Sequence, residues 1–172
     1  MSILKPSDFT GYYAISGDQY TAKKLQLFID RCELPILCKL LGSDLGSAIK
    51  TYIEGGKTPA NAVYNAIINP FCEVDYENEL YESKGIEDLL KAFIFYEYTI
   101  QEPFKNTPTG TQKSKGLSNQ QTVNTTLYRL AEQRRNNALD TYDAIQWKVC
   151  QNISDYPDYE GVKCSPTFQG IL

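Results

Sequence analysis

The stretch that decides the fold is IEDLLKAFIFYEYTIQ, residues Ile86–Gln101. One face of this stretch follows the i, i+3, i+4, i+7 spacing of an amphipathic α-helix. The residues on that face are Ile86, Leu89, Leu90, Phe93, Ile94, Glu97 and Tyr98. Because the face is so apolar, we predict that this helix lies at the centre of the domain.

The next segment, residues 102–117, interrupts the helical pattern. It contains two prolines, two glycines and four serine or threonine residues, a composition that favours turns and irregular chain. Compact domains rarely contain structureless connections longer than about 12–15 residues unless the loop binds something or is disordered. We therefore predict a long extended loop and interpret it as an arm that contacts another protein.

A second long helix is predicted over residues 118–153, which corresponds to about 35 residues and roughly 50 Å. A near-heptad stripe of mostly apolar residues supports it. The stripe consists of Val123, Leu127, Leu130, Ala131, Ala138, Tyr142, Ile145 and Val149. The middle of this helix, residues 132–137, is strongly polar, so we expect it to project beyond the body or to kink.

Upstream of the central helix, the sequence predicts shorter helices that begin at Asp18. Pro35 has no backbone donor and is expected to break or kink the first of them, or to begin a new helix. Gly42 is expected to cap its C-terminal end, and a short helix should then run to Tyr52. The acidic residues 71–84 are predicted to form a loop or a short irregular helix.

The predicted fold class is therefore all-α, a helical bundle with a long final helix and a long extended internal loop. Residues 1–17 form an extended N-terminal arm that should dock on its own body or on a neighbouring subunit. Residues 18–154 form the helical domain, which includes the loop 102–117. Residues 155–172 form a C-terminal tail.

The composition argues against several function classes. The chain contains no histidine, so it lacks the commonest general acid–base group and the commonest metal ligand. Its formal net charge of −4 argues against a general nucleic-acid binder, which needs a basic face. Thirteen tyrosines favour half-buried and interfacial positions instead. We expect a protein that is not an enzyme and that contacts other proteins.

Five cysteines are present, and none are spaced as C-x-x-C. The odd count and the absence of an N-terminal apolar run predict free, mostly buried thiols in a reducing cytosol. Cys32 and Cys38 lie six residues apart, which is not one helical face. A nucleophilic thiol there would need a cationic neighbour such as Arg31 or Lys39, so we favour a structural role.

Acidic residues alternate at Glu73, Asp75, Glu77 and Glu79, a pattern that would suit one face of a strand as well as a loop. A calcium loop needs oxygen ligands at set offsets and a glycine in mid-loop, and that glycine is missing here. We interpret the segment as a solvated acidic loop and expect no metal and no cofactor. A metal-dependent nuclease that uses these carboxylates is the less favoured alternative.

Basic residues lie on the predicted final helix at Arg129, Arg134, Arg135 and Lys148. We interpret them as a solvated face paired with the helix's own acidic residues, which are Glu132, Asp140 and Asp143. The other possibilities are contact with nucleic acid or ion pairs with an acidic partner surface, which would fix the register of an assembly.

Four stretches together carry a resemblance to a known family. They are residues 3–8 (ILKPSD), 93–98 (FIFYEY), 106–115 (NTPTGTQKSK) and 142–147 (YDAIQW). With the order of the predicted elements, they resemble the head–tail connector, or neck adaptor, proteins of tailed bacteriophages. The chain is most similar to the ring proteins of crAss-like phages of Bacteroidetes.

The resemblance implies an all-α adaptor that forms a homo-oligomeric, twelve-fold ring beneath the portal protein. Such a ring joins capsid to tail, contacts other neck and tail proteins, and extends a channel through which DNA passes without sequence-specific binding. It implies a location in the neck of the virion, and in the host cytoplasm during assembly. It implies no catalytic residues, no cofactor and no membrane. Another minor virion protein of the tail or capsid, or a cytosolic binding module, are the alternatives.

By the same resemblance, the loop between the last two helices and the C-terminal tail contact other rings or the portal. The candidate partner-binding residues are Pro103, Phe104, Lys105, Asn106, Thr107, Pro108, Lys113, Lys115, Pro166 and Phe168.

Overall fold

The computed structural model describes residues 2–15, 19–56, 59–101, 104–107, 110–113 and 118–160. The helices are α1 (Gln19–Leu41), α2 (Ser43–Glu54), α3 (Asn65–Ile68), α4 (Ile86–Gln101) and α5 (Ser118–Gln151). The strands are β1 (Phe71–Val74), β2 (Leu80–Ser83), β3 (Phe104–Thr107) and β4 (Gly110–Lys113). Short 3₁₀ segments lie at Pro6–Asp8, Gly11–Tyr13, Pro59–Tyr64 and Ile153–Asp155.

Helix α4 is the centre of the fold, as predicted. It packs against both α1 and α5, and seven of its residues are buried. These are Ile86, Leu89, Leu90, Ala92, Ile94, Phe95 and Tyr98. The buried surface extends beyond the predicted stripe to Ala92 and Phe95, because α4 has neighbours on more than one side.

The fold is mostly helical, but the prediction of a purely α fold was wrong at two places. Strands β1 and β2 pair antiparallel, and so do β3 and β4. Residues 71–84 therefore form a β-hairpin rather than a loop or an irregular helix. The predicted extended loop contains a second hairpin, so half of that connection has regular backbone pairing.

Helix α1 continues through Pro35, so the predicted break was wrong. Proline removes one hydrogen bond to the preceding turn. Pro35 is on the exposed side of α1, where water can solvate the freed carbonyl, and Ile29 and Leu37 hold the helix to the core on either side of it. Gly42 ends this region, as predicted, with a φ of +89°.

The polar middle of α5 does not project from the body. Ala131 and Ala138, which flank it, are both buried, and their small side chains let α5 lie close to its neighbours. The helix therefore remains packed over the segment where the sequence predicted that it would leave the body.

The N-terminal segment packs against its own body, which is one of its two predicted fates. Leu4, Phe9 and Tyr13 are buried in the core. The carboxylate of Glu33 on α1 is fully buried and accepts hydrogen bonds from the backbone N–H of Leu4 at 2.6 Å and of Ile3 at 3.0 Å. The ammonium of Lys50 on α2 lies 3.0 Å from the same carboxylate.

The chain that follows α5 also returns to the body. Tyr156 is buried, stacks on Tyr64 with ring centroids 6.3 Å apart, and donates a hydrogen bond to the carbonyl of Val63 at 3.3 Å. Residues 155–160 are thus fastened to the segment before α3, and the rest of the predicted tail lies outside the described residues.

Candidate interaction surface

The hairpin of β1 and β2 is fastened to α5 by one of its two faces. The ring of Tyr81 stacks on Trp147 with centroids 4.4 Å apart and planes inclined by only 7°. The ammonium of Lys148 contacts the Glu73 carboxylate and lies 5.5 Å from the centre of the Phe71 ring. An aromatic stack and a half-buried ion pair therefore hold the inner face of the hairpin.

The opposite face of this hairpin carries apolar side chains into solvent. Val74 and Leu80 are directly opposite each other in the strand register, so both point to the outer face. They are 57% and 62% exposed. Cys72 and Glu82 form the next outward pair of the ladder, and both are exposed. The outer face is thus an exposed apolar pair with a thiol and a carboxylate beside it.

The turn that joins β1 to β2 is held by hydrogen bonds. One carboxylate oxygen of Asp75 accepts from the backbone N–H of Glu77 at 2.8 Å and of Glu79 at 2.9 Å. Asn78 adopts the left-handed conformation with a φ of +64°, which asparagine tolerates better than most residues. Tyr76 stands at the tip and is 81% exposed. Among the residues whose exposure is described, the most exposed aromatic ring therefore stands on a hydrogen-bonded turn.

Three acidic residues of this hairpin, Glu73, Asp75 and Glu79, have structural partners. Glu73 is paired with Lys148, and Asp75 organises the turn. The hydroxyl of Tyr81 donates to Glu79 at 3.1 Å, and burial, together with that carboxylate, raises the pKa of Tyr81. Within the described ranges, no group of three or more acidic or cysteine side chains is placed to hold a metal ion.

The second hairpin contains half of the predicted partner-binding residues. Phe104, Lys105, Asn106 and Thr107 form β3, and Lys113 ends β4. Phe104 is opposite Lys113 in the register, and Lys105 is opposite Gln112. The strand pairing thus brings these five candidates together between α4 and α5. Pro103, Pro108, Lys115, Pro166 and Phe168 lie outside the described residues.

The arginines of α5 do not form the simple solvated face that we predicted. The guanidinium of Arg134 lies 4.5 Å from the ring centre of Tyr12 and 4.6 Å from that of Phe95. Arg135 lies 5.0 Å from the Tyr96 ring. Such cation–π contacts are stronger when partly desolvated. Arg134 on α5 therefore links the N-terminal segment to α4. The residue pattern of α5 alone does not indicate this role, because it depends on contacts with two other elements.

The cysteines also depart from the prediction of free, mostly buried thiols. Cys150 is disulfide-bonded. Cys32 and Cys38 are half-buried and Cys72 is exposed, each as a free thiol. Burial raises the pKa of the Cys32 thiol, so this thiol is not activated as a nucleophile. Cys164 lies outside the described residues.

The comparisons with known proteins leave the relationship to other chains open. No protein-family model, no curated protein and no solved structure gives a significant match to this chain. In the described part of the chain, no helix combines the length and the apolar character that crossing a membrane requires.

Proposed function

We propose that this chain is a structural subunit of a homo-oligomeric assembly, and that the assembly is the head–tail connector ring of a tailed phage. The observation that carries the proposal is the exposed apolar face of the first hairpin. Val74, Tyr76 and Leu80 are each more than half exposed and lie within one short hairpin. Exposed apolar clusters with polar rims are typical of protein–protein contacts.

The anchoring of the hairpin supports the same proposal. Trp147 and Lys148 hold its inner face, and Asp75 holds its turn. The outer face is therefore presented on a rigid support, which lowers the entropic cost of binding. A subunit of this kind binds its neighbours through modest contacts that become strong together when a ring closes.

The order of elements supports the connector assignment through the resemblance. Short helices are followed by the central helix α4, a hairpin connection and the long helix α5. In the connector family the corresponding connection contacts neighbouring rings or the portal. We therefore assign portal or ring contact to Phe104, Lys105, Asn106, Thr107 and Lys113, with DNA passing through the lumen.

The other functions have less support. A metal-dependent nuclease needs carboxylates that converge on an ion, whereas Glu73 and Asp75 are bonded to protein groups. Another minor virion protein would share the exposed hairpin face, and it differs from a connector in its neighbours. The portal is thus the partner that distinguishes these proposals.

Native mass measurement over a range of concentrations tests the proposal. We expect the wild-type chain to form closed oligomers and to appear in purified virions at a fixed ratio to the portal. Replacing residues 105–115 by a glycine–serine linker of equal length should leave helix content unchanged and weaken binding to the portal.

Two results would contradict the proposal. One is a linker variant that assembles and binds the portal as well as the wild type does. The other is magnesium-dependent cleavage of nucleic acid that is lost on Glu77→Ala, because this result would support the nuclease.

A further inference from the structure

Helix α1 has an exposed apolar stripe of its own. Leu27 is 72% exposed and Leu34 is 37% exposed. They lie seven residues apart and so share one face of the helix. The opposite side of α1 is buried through Leu25 and Ile29. The stripe therefore faces away from the core and is a second apolar surface, separate from the hairpin.

Two exposed cations, Lys23 and Arg31, and one exposed carboxylate, Asp30, flank the α1 stripe. Lys23 precedes Leu27 by one helical turn and is exposed. Arg31 follows Leu27 by one turn, is also exposed, and is held in place by a 2.9 Å hydrogen bond to Gln101 and by contact with the Phe28 ring at 4.9 Å. Asp30 lies three residues after Leu27 and four before Leu34, and its carboxylate accepts hydrogen bonds from the neutral groups of Ser2 and Gln26. The two cations beside the stripe outnumber this one carboxylate.

The charges around the outer face of the first hairpin are negative. Glu82 is exposed on the outer face in the pair next to Val74 and Leu80, and Glu77 is exposed in the turn beside Tyr76. Lys148 is engaged on the inner face. The hairpin surface thus has an apolar centre and an acidic rim.

The two surfaces are complementary in charge and alike in their apolar centres. We infer that the outer face of the first hairpin in one copy docks on the α1 stripe, Lys23, Leu27, Arg31 and Leu34, of a second copy. This inference rests on the proposed homo-oligomer and names its contact. Because the two surfaces differ, the contact is heterologous, the class that generates a ring when the rotation closes.

Opposite charges in such a contact fix the register and speed the encounter, while the apolar side chains exclude water. The contact involves few side chains on each copy, so a single contact is weak and the closed ring is strong. Salt should weaken the contact between copies. Exposed charges that are more than about 10 Å apart are largely screened at 0.1 M ionic strength, so the attraction between approaching copies falls as salt is added.

Charge reversal with complementation tests the contact. One variant carries Lys23→Glu and Arg31→Glu on α1, and the other carries Glu77→Lys and Glu82→Lys on the hairpin. Each variant alone should self-associate about a hundredfold more weakly than the wild type, since like charges then meet across the contact. An equimolar mixture should recover assembly, because each reversed surface finds an oppositely charged partner on the other chain.

Matched controls on the same fold test whether position or only net charge matters. Lys39→Glu reverses an exposed charge of α1 that is about 120° around the helix from Leu27. Glu132→Lys reverses an exposed charge on α5. Both should assemble like the wild type. Thermal unfolding of every variant confirms that the fold is kept, which is expected because all the substituted residues are exposed.

The outcomes separate this inference from the proposed function. If the wild type assembles and the charge-reversed variants assemble equally well, the inference is wrong and the connector proposal still stands. A mixture that fails to recover when both variants are folded and monomeric also overturns the inference. A wild-type chain that stays monomeric at low salt and at its highest soluble concentration, with or without portal, contradicts both.

Discussion

The N-terminal segment and the first hairpin are both short segments outside the long helices, yet their apolar side chains have opposite environments. Leu4 and Phe9 are buried against α1 and its neighbours, whereas Val74 and Leu80 remain in solvent. The difference shows that an irregular terminal segment can pack into the core when its backbone N–H groups have hydrogen-bond acceptors there. A regular hairpin, which already satisfies its own backbone, can keep an apolar face open.

The partner for the N-terminal backbone is Glu33. Two backbone N–H groups converge on its buried carboxylate, and Lys50 neutralises it from α2. Burial alone lowers the pKa of Lys50, but its hydrogen bonds to Glu54 and Glu33 outweigh that effect and raise it. This group of three elements anchors residues 2–4, and the hairpin has no equivalent on its outer face.

We expect alkaline pH to lower the free energy of unfolding most, because several buried tyrosines lose their contribution to stability together. Burial and the nearby Asp88 carboxylate raise the pKa of Tyr13. Burial, then Asp155, raises that of Tyr156 from 10.0 to about 12. Between these values the unfolded chain has released the tyrosine proton and the folded chain has not. The free energy of unfolding therefore falls as the pH rises through this window.

Circular dichroism and tyrosinate absorbance, followed together during alkaline titration, check this prediction. Helix should be lost together with the tyrosinate absorbance that develops above pH 10, and Tyr76→Phe should leave this loss of helix unchanged because Tyr76 is exposed. Tyrosinate formation that is complete near pH 10 with no loss of helix would contradict the account of the buried tyrosines.

The next largest effect is expected from Glu33→Ala. It leaves the Ile3 and Leu4 donors without their acceptor and the Lys50 ammonium without its buried partner. The free energy of unfolding should fall by about 3 kcal/mol. Denaturant titration measures it.

Glu54→Ala is the matched control for Glu33→Ala. Glu54 also pairs with Lys50, at 2.8 Å, but on the surface one helical turn away. Its loss should cost less than about 1 kcal/mol. Equal effects of the two substitutions would show that burial of Glu33 does not fasten the N-terminal segment.

Leu4→Ala and Leu80→Ala compare the two regions with one chemical change. Leu4 is 1% exposed, so its truncation should cost about 2–3 kcal/mol. Leu80→Ala should change the free energy of unfolding by less than about 0.5 kcal/mol and should weaken self-association. A Leu80→Ala chain that is as destabilised as Leu4→Ala would show that the hairpin face is packed within the subunit.

The most local effect is expected from Trp147→Leu. It removes the stack on Tyr81, for a cost of about 1 kcal/mol, and loosens the hairpin without disturbing α5. Amide exchange should become faster over residues 71–83 and stay unchanged in α4. Trp147→Phe keeps an aromatic ring, so its amide exchange over residues 71–83 should be slower than that of Trp147→Leu and faster than that of the wild type.

The fold could be predicted where the residue pattern of a single element was enough to define that element. The bounds of α4 and the start of α5 follow from helical spacing and from the breakers between them. The first hairpin was missed because its two strands have only four residues each and its turn contains Asn78 in place of glycine. The continuation of α1 through Pro35 depends on packing at both sides, which local propensity does not contain.

The interaction surfaces were harder to predict because they depend on register and tertiary contacts. The outward pairing of Val74 with Leu80 requires the strand alignment. The alternation of acidic residues was visible, and it indicated a strand face as well as a loop. The position of Glu33 between Ile29 and Leu37, at helical spacing on a buried face, was a signal for a buried carboxylate. The stacking of Arg134 between two aromatic rings has no comparable signal, because Tyr12 is distant in sequence.

Hydrogen exchange of the monomer and of the assembled particle, measured on the same chain, tests the central claim most directly. We predict that the backbone amides of residues 3–4 are protected equally in both states, because Glu33 binds them within one subunit. Residues 71–83 and 23–34 should gain protection only on assembly. The opposite pattern, with the N-terminal segment protected only in the particle and the hairpin unchanged, would contradict the account.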